Sequence, residues 1–215
     1  MAEAFGLGLE EREFTIFRDL PIRIVPGDVV YIHGQSGSGK SQLLKCLTEQ
    51  MRAEGLKVAD IAGVEMGEGA LIDQVGKDMQ EAIDLLSRAG ISDAYLAVRS
   101  PDQLSDGQRY RFQLAKLLET NADVLVCDEF GAVLDRVTAK TIAFSAQKLA
   151  RAQGRTLIVA TTHDDMIEEL GPSVLIEKRF QERVDLTYPT NDNLEEMMAR
   201  ASILSDRIDA LARRG

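Results

Sequence analysis

The octapeptide Gly34-Gln35-Ser36-Gly37-Ser38-Gly39-Lys40-Ser41 constrains this chain more than any other segment. It follows the apolar run Asp28–His33, which reads as a buried strand, and precedes Gln42-Leu43-Leu44-Lys45-Cys46-Leu47, which opens a helix. Strand, GxxxxGK[ST] and helix in that order form a phosphate-cradling loop. Its glycines leave room for successive backbone N–H groups to converge on an anion. The helix N-terminus behind them adds roughly half a positive charge. Lys40 is placed to reach β- and γ-phosphates, and the Ser41 hydroxyl to ligate Mg²⁺. Bound ATP, held by residues Gly34, Gln35, Ser36, Gly37, Ser38, Gly39, Lys40, Ser41 and Gln42, is the expectation.

A second segment supplies acids. Val124-Leu125-Val126-Cys127 is an uninterrupted apolar run that ends in Asp128-Glu129. This is the pattern of a central parallel strand whose C-terminal end meets a ligand. Asp128 offers a hard oxygen to Mg²⁺, and Glu129 is positioned by sequence to polarise an attacking water as general base. A third apolar run, Thr156–Ala160, leads to Thr161-Thr162-His163-Asp164. His33, directly before the loop, reads as a packing residue.

Together with Leu104-Ser105-Asp106-Gly107-Gln108, these segments resemble the ABC-type ATPases in full order: Walker A, signature, Walker B with its glutamate, and a switch histidine. Gly131–Asp135 resembles that family's D-loop, and Gln74 its Q-loop glutamine. The resemblance spans about residues 14–180. It implies an α/β fold, a P-loop NTPase core of ABC type with an antiparallel β-subdomain and a short helical arm. It implies that Gln74 joins Ser41 and Asp128 at the metal, and that His163 contacts the γ-phosphate and the attacking water beside Lys40 and Glu129. It also implies that Ser105 and Gly107 act in trans, capping the ATP of a second copy, so that a homodimer closes around two nucleotides. Taken alone, Ser105 is an ordinary helix cap. Asp106 stands where the family has glycine. A carboxylate 4 Å from a γ-phosphate would be repelled by about 4 kcal/mol at an effective dielectric near 20. Asp106 is therefore expected to point away as a first-turn helix acid, or else to leave that half-site loose.

Composition fits a globular α/β domain. Apolar residues make up 45% and charged residues 28% of 215, values typical of a chain with an ample core. No apolar run reaches the length of a membrane span, and the first residues lack a leader pattern. The two cysteines, Cys46 and Cys127, sit in apolar surroundings and read as buried thiols. A cytoplasmic protein is the expectation. The net charge of −10 argues against a broad face for nucleic acid or anionic lipid.

The coarse order of elements is α/β. Strands are expected near Arg12–Phe17, Ile22–Val25 and Asp28–His33, resembling the antiparallel subdomain of ABC cores. A helix over Ser41–Glu54 and a strand at Lys57–Ile61 precede the glycine- and acid-rich loop Gly63–Gly69. Helices follow over Gly76–Ala89, Asp106–Glu119 and Thr138–Gln153, with late strands at Ser173–Glu177 and Arg183–Tyr188. The apolar spacing from Leu194 to Arg213 predicts an amphipathic helix. The organisation is then an ATPase domain over 1–190, its arm at about 75–120, and a C-terminal helix within 191–215. Phe5, Phe14 and Phe17 compete as the adenine-stacking aromatic, with Phe5 best in spacing.

Two departures from transporter ATPases stand out. Only residues 75–104 separate Gln74 from Ser105, which leaves a short arm. The stretches Val75-Gly76-Lys77-Asp78, the run from Leu104 to Leu118, and Asp128-Glu129-Phe130 with Leu134-Asp135-Arg136 resemble a group of soluble ABC-type ATPases often fused to a predicted GNAT acetyltransferase domain. That resemblance implies a non-transport ATPase that drives or licenses an acetyltransferase or nucleic-acid-modifying partner. The other readings are the nucleotide-binding subunit of a transporter and a non-hydrolysing ATP switch.

Overall fold

A computed structural model describes residues 20–180, 183–189 and 205–207. Its centre is a six-stranded sheet in the order β3-β4-β5-β2-β6-β7. The strands are β2 (Val29–His33), β3 (Val58–Asp60), β4 (Val124–Cys127), β5 (Thr156–Thr161), β6 (Val174–Lys178) and β7 (Val184–Thr187). All neighbours run parallel except β6 and β7. Parallel pairing puts the C-terminal ends of β2, β4 and β5 on one edge, where an open α/β sheet binds ligands.

The unbroken apolar runs follow from burial on both faces. Val29, Tyr31, Leu125, Cys127, Leu157 and Val159 point to one layer, with Phe112, Ile142, Ala143 and Ala146 from the helices. Val30, Ile32, Val124, Val126, Ile158 and Ala160 point to the other, where α1 (Lys40–Ala53) lays down Leu43, Leu44, Leu47 and Met51. Each such side chain contributes roughly 1.5–3 kcal/mol on full burial, so α1 is anchored firmly behind the loop it follows.

The first layer carries α2 (Met79–Arg88), α3 (Ala94–Ala97), α4 (Asp106–Glu119), α5 (Arg136–Ala152) and α6 (Ile167–Leu170). Ala82, Leu85 and Leu86 of α2 and Phe112 of α4 join the core, while Met79, Ile83, Tyr95 and Val98 stay exposed. Asp78 caps α2 by accepting from the Glu81 amide at 2.9 Å. Both cysteines are free and buried, and no helix among the described residues is long and apolar enough to cross a membrane.

Three expectations change. The Asp28–His33 strand is not part of an antiparallel subdomain. It lies mid-sheet between β5 and β6, because both of its faces are apolar and only a central position buries both. The preceding strand is shorter than Ile22–Val25: β1 (Pro21–Arg23) pairs antiparallel with β8 (Ser205–Arg207). Ser205–Arg207 fall within the helix expected over Leu194–Arg213 and are extended instead, their ladder satisfying backbone groups of β1. The rest of that tail, the Arg12–Phe17 strand, and Phe5, Phe14 and Phe17 lie outside the described residues.

Candidate functional site

The loop after β2 wraps into α1 with Gly34, Gly37 and Gly39 all at positive φ. Gly34 is obligatory on packing grounds as well: a Cβ there would collide with the carbonyl oxygen of Lys178. Gly39 occupies the N-cap of α1 in the left-handed region and provides no side-chain cap. The first amides of α1 therefore face outward with the positive end of the helix behind them. Ser38 Oγ is buried without a hydrogen-bond partner among the described residues, a polar atom suited to an anion's oxygen. Lys40 is buried and its Nζ donates to the carbonyls of Gly34 and Gln35, each at 2.9 Å. Burial lowers its pKa, and the nearby Asp128 and Glu129 work against that shift.

Opposite stand the acids at the end of β4. Phe130 is fully buried and meets Tyr110 edge-on, with ring centroids 6.2 Å apart. Its amide donates to the Ala160 carbonyl at 2.9 Å, which fixes the chain just past the acids. Between that anchor and the strand, Glu129 is the one non-glycine residue at positive φ among those described, at +50°. Holding a non-glycine residue there costs about 1–3 kcal/mol, a strain typical of functional turns. The result leaves Asp128 half-buried and Glu129 exposed at the sheet edge.

The two walls enclose a cavity of about 390 Å³ lined by Ser36, Gly37, Gly39, Lys40, Ser41 and Gln42 on one side and by Asp128, Glu129, Ala132, Thr161 and Thr162 on the other. A hydroxyl, a carboxylate and phosphate oxygens are the donor set of Mg²⁺ bound with a nucleotide. No group of three or more His, Cys, Asp or Glu side chains among the described residues forms a metal cage by itself. The residues present fit ATP and Mg²⁺ together.

Other expected site residues fall elsewhere. Gly34 and Gln35 line a neighbouring cavity of about 740 Å³ with His33, Asp164 and Phe180. Gln74 lines neither: its Oε1 accepts from the Gly67 amide at 2.8 Å, and its Nε2 donates to the Gly69 carbonyl at 3.0 Å. That pair of bonds ties it to the glycine-rich loop rather than to the metal position. His163 is half-buried and lines neither cavity, although its neighbour Thr162 lines both and Asp164 the larger. His33 stacks on Tyr31 with centroids 5.5 Å apart, as a packing residue should.

Ser105 and Gly107 also lie outside the cavity of their own chain. Ser105 is exposed and caps α4 in a reciprocal box, accepting from the Gln108 amide at 3.3 Å while its own amide donates to Gln108 Oε1 at 3.0 Å. Gly107 packs closely on the segment after Glu129, so an added Cβ would sit 3.2 Å from the Val133 carbonyl. Asp106 is an exposed first-turn acid, as expected. Sequence reasoning assigns no role to Thr161 and Thr162, although hydroxyl residues closing an apolar strand at the ligand edge are a readable signal.

Fold and site together are those of an ATPase with the mixed α/β P-loop fold of ABC cassettes. Residues 17–70 match the ABC transporter family. The chain is 29% identical to the methionine import ATP-binding protein MetN of Xylella fastidiosa, an alignment covering 79% of this chain and 60% of MetN. It thus spans less than two thirds of that relative. The ABC transporter ATP-binding protein YtrE of Bacillus subtilis is 26% identical over 76% of this chain and 85% of its own length. The dimeric ATP-binding cassette MJ0796 in a post-hydrolysis state with ADP and Pi shares the fold at a TM-score of 0.60 and 22% identity, over 83% of this chain and 93% of that one. A bacterial Atm1-family ABC exporter with ATP bound gives 0.62 at 19% identity, over 90% of this chain and 40% of the exporter.

Proposed function

We propose that this domain binds Mg²⁺ and ATP, pairs with a second copy around the nucleotide, and hydrolyses it to drive a transporter's membrane subunits. The observation that carries the ATPase part is the convergence of Lys40, Ser41, Asp128 and Glu129 on one cavity. Lys40 and the loop amides, from Gly34 to Gln42, hold the phosphates. Ser41 and Asp128 hold the metal, which when bound neutralises charge between phosphates. Glu129 accepts the proton of the attacking water. His163 faces the γ-phosphate, and Gln74 joins the metal site only by exchanging its bonds to Gly67 and Gly69. Ser105 and Gly107 cap the ATP of the opposite copy.

The transporter role is supported by the likeness to MetN and YtrE, named as transporter ATP-binding proteins. It is also supported by the exposed Met79, Ile83, Tyr95 and Val98 on the arm, an apolar surface of the kind that meets a partner. The short arm favours a second reading, a non-transport ATPase that licenses an acetyltransferase or nucleic-acid-modifying enzyme.

Glu129→Gln tests the motor. Turnover should fall by about 10²–10⁴-fold, the range for loss of a general base, while ATP binding persists and an ATP-dependent dimer accumulates. Unchanged turnover in that variant rules out the assigned base. Purification of the full chain from native cells separates the two roles. A stoichiometric integral membrane protein supports the transporter, and a soluble acetyltransferase in its place overturns it.

A further inference from the structure

The loop that carries His163 is fastened from two sides, by Tyr31 and by Arg136 with Lys140. From below comes Tyr31, the middle residue of β2, which is fully buried. Its hydroxyl donates to the carbonyl of His163. Burial pushes that phenol above its ordinary pKa, so it stays a donor at any physiological pH. From the side, Arg136 pairs with Asp165 and Lys140 with Glu169, the latter at 2.9 Å. Arg136 is the first residue of α5, directly after the Gly131–Asp135 segment. Within the loop the His163 amide donates to Thr161 Oγ1 at 3.3 Å.

We propose that Tyr31, with the Arg136–Asp165 pair as its lateral counterpart, is a positioning residue that sets the backbone of His163 against the triphosphate. Tyr31 belongs to the strand that feeds the phosphate loop, and Arg136 to the helix that leaves the acid pair. The histidine loop is thus referenced to both walls of the cavity at once. A buried hydroxyl on a rigid central strand fixes a backbone atom more tightly than a solvated side chain does. The inference rests on the reading of His163 as the group that faces the γ-phosphate.

The test is steady-state ATP turnover of the full chain with equilibrium binding of a fluorescent ATP analogue. Tyr31→Phe keeps the buried ring and its stack on His33 but removes the hydroxyl. Turnover number should fall about tenfold, as misplacement of a reacting group does, while KM and analogue affinity stay within about twofold. A purely structural role would lower the melting temperature without that split. Arg136→Gln, at a partly exposed side chain, should lower turnover less and carries the test if Tyr31→Phe fails to fold. His163→Ala should absorb both effects, so that neither double variant is slower than His163→Ala alone. Wild-type turnover in Tyr31→Phe and Arg136→Gln, or effects that multiply with His163→Ala, overturns the proposal. Wild-type turnover in His163→Ala removes the reading beneath it, an outcome distinct from a silent Tyr31→Phe beside an impaired His163→Ala.

Discussion

Residues 34–41 and Leu104–Gln108 are both serine- and glycine-bearing segments that lead into a helix, yet the structure finishes them differently. At α1 the N-cap is Gly39 in the left-handed region, and no side chain bonds the first amides. At α4 the N-cap is Ser105, and a reciprocal box with Gln108 occupies the same positions. The first terminus keeps its donors and its dipole for an outside anion. The second engages the Ser105 and Gln108 amides internally, leaves those of Asp106 and Gly107 outside that box, and stands apart from the cavity of its own chain. The α1 terminus is thus a half-site ready in a single copy. The α4 terminus can contribute to a phosphate only from an opposing copy, donating the Ser105 O–H while the hydroxyl oxygen keeps its bond from the Gln108 amide.

The sharpest way to break this comparison is to disable the two helix termini on different chains. Lys40→Ala should reduce ATP affinity and turnover by at least about a hundredfold, since a charge-assisted contact to phosphate is lost in a buried site. Ser105→Glu should bind ATP normally yet fail to turn over, because a carboxylate would face the opposite γ-phosphate. Mixed in equal amounts, the two inactive variants should recover about a quarter of wild-type turnover. Half of the random pairs then hold one intact composite site of two. No recovery on mixing, in a rate assay that detects a few per cent of wild type, would mean that the α4 terminus never reaches another copy's nucleotide.

How far these two termini can be read from sequence follows from how local their chemistry is. The α4 helix and the β4 strand fall on Asp106–Glu119 and Val124–Cys127 as expected, because a Ser cap and an unbroken apolar run are signals carried within a few residues. The loop around Lys40 is equally local, since glycines and a lysine at fixed spacing define it. What sequence does not reveal is non-local. Tyr31 reaches His163 across 132 positions, and Gly34 owes its necessity to the carbonyl of Lys178. Gln74 matches a family position, but the glycines of the Gly63–Gly69 loop compete for its amide. The antiparallel placement of the strand before the phosphate loop follows the family resemblance, whereas its two apolar faces already point to the mid-sheet position it takes.

A smaller effect separates the two jobs of Ser105. Ser105→Ala should destabilise the domain by about 1 kcal/mol, the usual cost of losing an N-cap, measured by denaturant unfolding. Ser105→Asn restores a cap of comparable strength but sets an amide where the hydroxyl was. Stability should return in the Asn variant while turnover remains impaired. Return of both would reduce Ser105 to a cap and leave the comparison without its second half.

The smallest expected effect concerns a third helix N-terminus, that of α5. Asp135 caps it through the Thr138 amide at 3.0 Å and the Thr138 hydroxyl at 2.6 Å, and those bonds hold its carboxyl below the ordinary value. A carboxylate with a depressed folded pKa contributes stability that is present above the unfolded value of about 3.9 and is lost as pH falls through the folded one. Acid should therefore loosen the first turn of α5, which is closed by a titrating group, before that of α1, whose cap has none. Asp135→Asn keeps a competent cap and removes the titration. Its melting temperature should lie slightly below wild type at neutral pH and converge with it as the pH drops beneath about 4. Amide exchange at Thr138 should report the same convergence locally, and parallel acid profiles for the two proteins would show that this cap does not sense protons.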